Sequence, residues 1–411
     1  MAILSAGGSP ENQLVLVFLT NRWGWRRGEV SRPERDYGSA AVADLEGVIV
    51  VEPLRLGVVG LGVMGAGHLE KERGLEEVRF VGVADVKPEV CARVSAQYDL
   101  PAYPSAEALI DSGRCEAVLV ATPHPFHCPV AEYAASRGLH VLSEKPIAVT
   151  VGEADRMIDA CRRAGVLLGV MFQQRTMPLY RKAKELLEGG VIGRVYRASL
   201  VASAWYRTQA YYDSGDWRGT WKGEGGGVIM NQAPHSLDLF VWLGGRPVEI
   251  TASVETRWHR IEVEDTISAL LKYGEGKSGY FYTTTSEWPG QNRFEFAGER
   301  GKLVVDDDRI RLYRMAKSLP EEIFSGPMWG KCAGAWEDVP YEPAPHGHAE
   351  VVKQFARAVR LGEPLVATGE DGRNALELAN AMLLSGFRQK PVPVPVDRAE
   401  YDAFLAEKRG G

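Results

Sequence analysis

The stretch that decides the fold is LGVVGLGVMG at residues 56–65, in which Gly60, Gly62 and Gly65 form the pattern G-x-G-x-x-G. It follows a short apolar run typical of a buried strand and opens a stretch with helical spacing. In such a βα unit the first glycine allows a tight turn, the second lets the backbone approach a pyrophosphate, and the third lets helix and strand pack closely. The pattern therefore predicts a dinucleotide-binding unit.

An acidic residue supports this interpretation. Asp85 ends the next predicted strand, near the distance of about 20 residues at which such units place a carboxylate for the ribose 2′-hydroxyl. Because its charge would repel a 2′-phosphate, Asp85 favours NAD as the cofactor. Lys87 stands two residues later, so NADP is kept as the alternative.

The chain divides into three predicted segments. Residues 1–53 show no sustained periodicity and are expected to be a poorly ordered N-terminal extension, an added edge strand around 48–51, or a consequence of start-codon choice. Residues 54–175 alternate short apolar strands with helices, which predicts a parallel α/β sheet of the Rossmann type. Residues 176–411 hold runs of strands and are expected to form an α+β domain for substrate binding and oligomerisation.

Individual strands can be proposed in both domains. In the first we predict strands at 56–59, 79–84, 117–121, 141–143 and 167–171. In the second we predict strands at 195–204, 249–255, 266–272, 279–285 and 293–296.

Composition excludes several classes of protein. Of the 411 residues 45% are hydrophobic and 25% charged, as in folded globular proteins, and the net charge of −6 gives no reason to bind nucleic acid or anionic lipid. The longest apolar run, 14–19, is far too short to span a bilayer. Five scattered cysteines without a C-x-x-C spacing favour a reducing cytoplasm and no metal site. We expect a cytoplasmic protein with a small-molecule partner.

Two motifs stand at the carboxyl ends of predicted strands, where ligands sit in open α/β sheets. They are ATPHPFH at 121–127 and VLSEKP at 141–146. Lys145 in the second motif is well placed to lie beside a nicotinamide ring. A solvated surface lysine is the plain alternative, but Pro146 restricts the backbone and would hold the Lys145 side chain at a defined angle.

Four motifs in order resemble those of the Gfo/Idh/MocA oxidoreductases, the family of glucose-fructose oxidoreductase and inositol dehydrogenase. They are the Gly60–Gly65 fingerprint, Thr122-Pro123 with His127, Glu144-Lys145-Pro146, and GGGVIMNQAPHSLD at 225–238. The resemblance covers about residues 54–394. It implies a Rossmann domain, a second domain with a large, open, predominantly antiparallel sheet, a homo-oligomer, and hydride transfer between NAD(P) and a secondary alcohol of a sugar, glycoside or inositol.

The same resemblance implies roles for individual residues. Lys145 is similar to the family's catalytic lysine and His235 to its catalytic histidine. Asn231 departs from the pattern, because the family often has an aspartate four residues before the histidine, and an amide cannot stabilise an imidazolium by charge. Asp238 could take that part if the segment is helical, since side chains three apart are neighbours.

The predicted site residues fall into overlapping groups. The catalytic residues are Lys145, His235 and Asn231. The cofactor-binding residues are Gly60, Gly62, Val63, Met64, Gly65, Asp85, Thr122, Pro123, His127, Glu144 and Lys145. The substrate-binding residues are Lys145, Arg175, Tyr206, Trp217, Arg218, Asn231, Gln232 and His235, with Trp205, Trp217 and Trp221 expected to wall the pocket because aromatic rings stack on the C–H faces of polyols.

Two other functions compete with a dehydrogenase. One is NAD-assisted glycoside cleavage, in which transient oxidation of the sugar permits elimination of the aglycone without net NADH formation. The other is a cofactor-sensing regulator that has lost catalysis. The presence of both Lys145 and His235 argues against the regulator.

Overall fold

The computed structural model of the chain describes residues 41–43 and 49–410. Strands β1 (Ala41–Ala43) and β2 (Ile49–Val51) pair antiparallel in a ribbon of their own, so the strand predicted near 48–51 is not an edge of a larger sheet. The remainder of the predicted extension lies outside the described residues, apart from Glu52 and Pro53. Along the described ranges, no helix is long and apolar enough to cross a membrane.

A six-stranded parallel sheet forms the centre of the N-terminal α/β region. Its strands are β3 (Leu54–Val59), β4 (Val78–Ala84), β5 (Ala102–Tyr103), β6 (Ala117–Val120), β7 (His140–Ser143) and β8 (Leu168–Val170). Their order is β5-β4-β3-β6-β7-β8, and every pair is parallel. Chain progression reverses between β3 and β6, so a crevice opens at the carboxyl ends of these two strands.

Helices connect these strands. They are α1 (Val63–Glu72), α2 (Pro88–Tyr98), α3 (Ala106–Ile110), α4 (His127–Ser136) and α5 (Val151–Ala164). The bounds of α5 follow from local chemistry, because Thr150 and Glu153 form a reciprocal capping box at its start and Gly165 ends it at a φ of +70°. The central strand β6 is buried on both faces, as its apolar sequence AVLV requires.

A nine-stranded sheet follows. Its strands are β9 (Val195–Ala202), β10 (Glu249–Glu255), β11 (Thr266–Lys272), β12 (Ser278–Thr284), β13 (Asn292–Gly298), β14 (Gly301–Asp306), β15 (Arg309–Met315), β16 (Gly334–Asp338) and β17 (Val392–Pro393). The order is β16-β15-β14-β13-β9-β12-β11-β10-β17. Only β9 and β12 pair in parallel, so the predicted α/β class with a second, predominantly antiparallel sheet is confirmed.

Eight further helices complete the described chain. They are α6 (Pro178–Glu188), α7 (Gln209–Tyr212), α8 (Val228–Asn231), α9 (Pro234–Gly244), α10 (Leu319–Ser325), α11 (His348–Leu361), α12 (Gly369–Arg388) and α13 (Arg398–Lys408). Helices α9 and α12 contact the large sheet. Alternate residues of β12 are buried, including Phe281, as expected for a sheet with one covered face.

Helix α11 returns to the Rossmann sheet. Val352 and Phe355 belong to the same buried cluster as Leu56 of β3 and Leu69 of α1. The ring of Phe355 lies so close to Gly169 of β8 that a Cβ atom on this glycine would approach it to 3.2 Å. The predicted domain boundary at residues 175 and 176 remains a prediction, but residues far beyond it complete the first core.

Candidate active site

The glycine turn between β3 and α1 opens onto the crevice. Gly60 has a φ of +88°, and a Cβ atom there would lie 2.7 Å from the backbone of Ala121 at the end of β6. A Cβ atom on Gly65 would lie 1.8 Å from the Gly60 carbonyl oxygen. At Gly62, by contrast, no neighbouring atom lies within 4 Å of the Cβ position, so the space in front of α1 is open to a ligand.

The start of α1 is suited to bind an anion. Gly62 precedes the helix and offers no side-chain cap, so the first backbone N–H groups remain free for an external acceptor. Val63 and Met64, both predicted to bind the cofactor, are exposed there by 87% and 38%. The buried hydroxyl of Thr122 has no partner among the described residues. These features fit the pyrophosphate of a dinucleotide.

Asp85 lies at the carboxyl end of β4 and fixes the glycine turn. One carboxylate oxygen accepts a hydrogen bond from the Leu61 N–H at 2.7 Å, and the other accepts one from the Lys87 N–H at 2.9 Å. The carboxylate is thus held beside the turn, where the adenosine ribose of a dinucleotide would sit.

Replacing Asp85 with serine is expected to weaken NAD affinity by about tenfold, the value of one charge-assisted hydrogen bond, and to narrow the preference for NAD over NADP. Binding of both cofactors is measured by fluorescence titration. Glu89→Gln, which alters an exposed carboxylate in the first turn of α2, is the matched control. Equal use of both cofactors by the unaltered protein would show that Lys87 or another cation outweighs Asp85.

His127 connects two of the strand-end loops. Its buried ring lies 2.8 Å from the Thr122 carbonyl oxygen and 2.9 Å from the Pro146 carbonyl oxygen, and burial lowers the pKa of the imidazole. The neutral ring donates its one N–H to one of these oxygens. The structure therefore places His127 between the loops, while Pro123 is exposed at the start of the turn His124–Phe126.

Glu144 ends a buried chain of charged groups. His68 of α1 lies between Glu72 at 2.9 Å and Glu144 at 2.8 Å. Burial alone would lower the pKa of His68, but hydrogen bonds and charges from the two carboxylates raise it to about 9. Burial would raise the pKa of Glu144, yet His68 lowers it to about 2. The ionised Glu144 also accepts the Lys145 backbone N–H at 3.0 Å, which anchors the loop after β7.

Lys145 points from this loop toward the second domain. Its Nζ donates a hydrogen bond to the Asn231 carbonyl oxygen at 3.0 Å. Burial lowers the pKa of Lys145 below its usual value, although the charges of Glu144 and Glu224 oppose this shift. One N–H of the ammonium is engaged by Asn231, so others remain for a bound ligand.

His235 lies in the first turn of α9 and is buried. Its Nε2 is 3.2 Å from Nε2 of Gln173, its Nδ1 has no partner among the described residues, and Phe172 packs edge-on against the ring. Burial lowers the pKa of His235 to about 3, and the charge of Lys145 acts in the same direction. The ring is therefore neutral at neutral pH and lies within electrostatic reach of Lys145.

Asn231 and Gln232 contact a tyrosine rather than the histidine. Asn231 Nδ2 and Gln232 Nε2 donate to the Tyr211 hydroxyl at 3.3 and 3.1 Å, and the buried Gln232 Oε1 has no described partner. Asn231 Nδ2 also donates to Glu224. The predicted pair Asn231 and Gln232 thus lies in the crevice with Lys145.

Glu224, like Tyr211, is a site residue that the sequence did not reveal. Its side chain is 1% exposed, and Oε2 accepts the Gly219 N–H at 2.7 Å. Burial raises the pKa of Glu224 to about 7, although the Gly219 and Asn231 hydrogen bonds oppose this shift. Its position directly before the glycine run at 225–227 was the available signal, because such a run permits close backbone approach.

Glu224→Gln is expected to flatten the dependence of stability on pH. The stability contributed by a carboxyl with a raised pKa is fully present below its unfolded value, about 4.5, and is lost as pH rises through about 7. The wild-type protein should therefore lose more stability than the variant between these values. Thermal unfolding midpoints measured across this range test the prediction, and parallel curves would contradict it.

Some aromatic side chains of residues 205–221 lie at the crevice, and others are buried in the core. Trp217 is 38% exposed and its ring centroid lies 6.5 Å from that of His124, at the crevice. Tyr206 is exposed and stacks near Trp288. The expectation for Trp221 was wrong, because this ring is buried against Phe387 and Phe404 and contributes to the core.

Arg175 has a partner that its sequence context did not predict. Its Nε and a terminal nitrogen donate to both carboxylate oxygens of Asp238 at 2.8 and 2.6 Å, and both residues are buried. Asp238 is therefore engaged by Arg175 and does not take the part beside His235 that its spacing suggested. Substrate binding by Arg175 stays an untested prediction.

Comparisons with known proteins agree with this arrangement. The model of the oxidoreductase family with an NAD-binding Rossmann fold matches residues 54–172, and the model of the GFO/IDH/MocA C-terminal domain matches residues 180–304. The 1-carboxy-3-chloro-3,4-dihydroxycyclohexa-1,5-diene dehydrogenase of Comamonas testosteroni is 33% identical over 66% of this chain and 68% of its own. The myo-inositol 2-dehydrogenase of Thermotoga maritima is 24% identical over 80% of this chain and 95% of its own.

A solved structure is also similar. The WlbA dehydrogenase from Bordetella pertussis, in complex with NADH and UDP-GlcNAcA, has a TM-score of 0.71 and 29% sequence identity and covers 84% of this chain and 100% of its own. The family model matches an NAD-binding Rossmann fold, and this neighbour was solved in complex with NADH. The chain belongs to the Gfo/Idh/MocA family of oxidoreductases.

Proposed function

We propose that the protein is a dehydrogenase that transfers hydride between a nicotinamide cofactor, preferentially NAD, and a secondary alcohol of a sugar, glycoside or inositol. The proposal is carried by one observation: Lys145, in the loop after β7, donates at 3.0 Å to the carbonyl of Asn231, four residues before His235 at the start of α9. The similarity to a myo-inositol 2-dehydrogenase supports the substrate class.

Lys145 is proposed to stabilise the reacting oxygen. The bound nicotinamide ring supplies the acceptor for the hydride, so the remaining task is to control the charge and the proton of the alcohol. The Lys145 ammonium, already oriented by the Asn231 carbonyl, can donate to the same oxygen and stabilise its developing negative charge.

His235 is proposed to take the alcohol proton. Its ring is neutral at working pH. Nε2 accepts a hydrogen bond from the Gln173 amide, so Nε2 is the basic nitrogen that would take the proton and the unpartnered Nδ1 carries the ring N–H. General base catalysis of this kind contributes about 10²- to 10⁴-fold in rate. Among the described residues no carboxylate contacts the His235 ring. The charges that offset Lys145 come from Glu144 and from Glu224, which Asn231 contacts.

Asn231→Asp is expected to move the acidic limb of the kcat/KM profile to higher pH. The new carboxylate would stand against Glu224 and four residues before His235, and an added anion raises the pKa of an imidazole or carboxyl within its reach. Profiles of both proteins with one good substrate test this. If KM and sugar preference change while the limb stays in place, Asn231 is a substrate ligand instead.

The function is tested by following NADH and NADPH formation with a panel of sugars, glycosides and inositols. Net NADH formation identifies a dehydrogenase. Aglycone release without net NADH would establish glycoside cleavage, and cofactor binding without turnover of any substrate would indicate a regulator. Assembly into a homo-oligomer and residence in the cytoplasm remain predictions from the sequence.

A further inference from the structure

Two arginines flank the Tyr211 ring at the edge of the proposed site. The guanidinium carbon of Arg207 lies 5.0 Å from the ring centroid, and that of Arg218 lies 4.4 Å from it. Arg218 also lies 4.4 Å from the Trp217 ring centroid. Aromatic faces hold guanidinium groups in defined positions, so these side chains present two oriented cations.

The two arginines are connected to the proposed catalytic groups. Arg218 donates to the Tyr211 hydroxyl at 2.6 Å, and the same oxygen accepts from Asn231 Nδ2 at 3.3 Å. The carbonyl of Asn231 in turn accepts from Lys145. Arg207 is close enough for its charge to lower the pKa of Lys145. Hydrogen bonds through Tyr211 and Asn231 therefore join Arg218 to Lys145, so an anion held by the arginines would border the proposed catalytic groups.

No acidic side chain pairs with these cations. Among the described residues, no Asp or Glu oxygen lies within 4 Å of a nitrogen of Arg207 or Arg218, and Arg207 donates only to the Trp205 and Tyr206 carbonyls. Glu224 acts on Arg218 from a greater distance, and its oxygens are engaged by Gly219 and Asn231. With Lys145, the site holds three cations. The carboxylates whose charges act on Lys145 are Glu224 and Glu144, and Glu144 is already held by His68.

We propose that Arg207 and Arg218 bind an anionic group of the substrate, a carboxylate or a phosphate, so that the polyol oxidised is a sugar acid, a cyclitol acid or a sugar phosphate. A guanidinium matches the oxygens of either group through paired N–H donors. This inference rests on the proposed function and specifies its substrate class.

The position of the anionic group follows from the other charges around Arg218. A cavity of about 290 Å³ lies on one side of this arginine, and Asp213, Asp216 and Glu262 also line it. These carboxylates disfavour an anion in the cavity. Toward Tyr211 and Lys145 the carboxylates are already engaged, Glu224 by Gly219 and Asn231 and Glu144 by His68, so the anionic group belongs there.

The test compares an aldohexose, its 6-phosphate and its uronic acid as substrates of the NAD-loaded protein, with the matching inositol and inositol phosphate as a second set. We expect kcat/KM for an anionic member to exceed that of its neutral counterpart by about 10- to 100-fold, the value of one charge-assisted hydrogen bond or two. The anionic compound with the larger ratio identifies the group. Added salt should reduce the ratio.

Two variants test whether the preference for anionic substrates comes from Arg207 and Arg218. In Arg207→Gln and Arg218→Gln, the ratio of anionic to neutral kcat/KM should fall toward one. A ratio measured on the same sample does not depend on the folded fraction. Arg260→Gln is the matched control, because Arg260 is exposed and lines the same cavity as Arg218 but is not stacked on Tyr211. Retention of the ratio in both test variants would overturn the assignment.

The outcomes separate this inference from the proposed function. Faster oxidation of the neutral compounds by the wild-type protein would overturn the anion site and leave the dehydrogenase standing. If no compound is oxidised, the proposed function fails. Calorimetric titration of the uronic acid and the 6-phosphate into the NAD-loaded protein then tests the anion site by itself. Binding that Arg218→Gln abolishes supports the anion site, and absence of binding overturns it.

Discussion

Lys145→Ala is expected to lower kcat by about 10²- to 10³-fold, the usual loss when one donor to a developing oxyanion is removed. NAD affinity should be nearly unchanged, because the ammonium contacts the Asn231 carbonyl across the crevice rather than the glycine turn that would hold the pyrophosphate. Initial rates with a substrate found in the panel, together with NAD titration, test both parts.

Two further variants serve as controls for the Lys145→Ala measurement. Lys145→Met retains most of the side-chain volume, so a similar loss of kcat would show that the charge matters rather than an empty space. Lys222→Ala removes an exposed lysine two residues from Glu224 and should leave kcat as it is. Wild-type turnover in Lys145→Ala would refute the assignment of the lysine.

Arg175→Met is expected to lower the free energy of unfolding by about 3–5 kcal/mol, because it leaves Asp238 as an unpaired charge in the interior. Burial already raises the pKa of Asp238 to about 6 while Arg175 is present. Without the arginine the pKa should rise further. Stability contributed by such a carboxyl is lost as pH rises through its folded pKa, so the deficit of the variant should be smaller at about pH 5 than at about pH 8.

Denaturant unfolding of the wild-type protein, Arg175→Met and the double variant measures the contribution of the Arg175–Asp238 pair. Adding Asp238→Asn to Arg175→Met should restore much of the lost stability, because no buried charge then remains without its partner. Arg137→Met, which breaks the half-exposed pair with Asp111, should have a much smaller effect. A large rise in KM with unchanged stability would instead support the substrate contact predicted for Arg175.

The sequence predicted the Rossmann strands well because each is a short apolar run with a turn signal at its end. The predicted strands 79–84 and 141–143 agree closely with β4 and β7. The strands that were not predicted are β1, β5, β14, β15, β16 and β17. Every residue of β16 is exposed, so it has no alternation of buried and exposed positions to detect.

Within the site, residues at strand ends were easier to predict than residues in loops. Lys145 could be placed because a carboxyl-terminal strand end fixes its surroundings. Glu224 and Tyr211 could not, because their contacts arise where the loop around 205–224 folds back on α8. Trp221 was misplaced since an aromatic residue has the same sequence signature in a pocket wall and in a core.

The return of α11 to the Rossmann sheet determines what can be exchanged between relatives. Residues 54–172 alone would expose the apolar surface of Leu56 and Leu69 that Val352 and Phe355 now cover. A chimaera that takes its cofactor domain from another member of the family must therefore take the helix His348–Leu361 from the same parent. The transferable module is discontinuous in sequence, and a splice at the apparent domain boundary would divide its core between two parents.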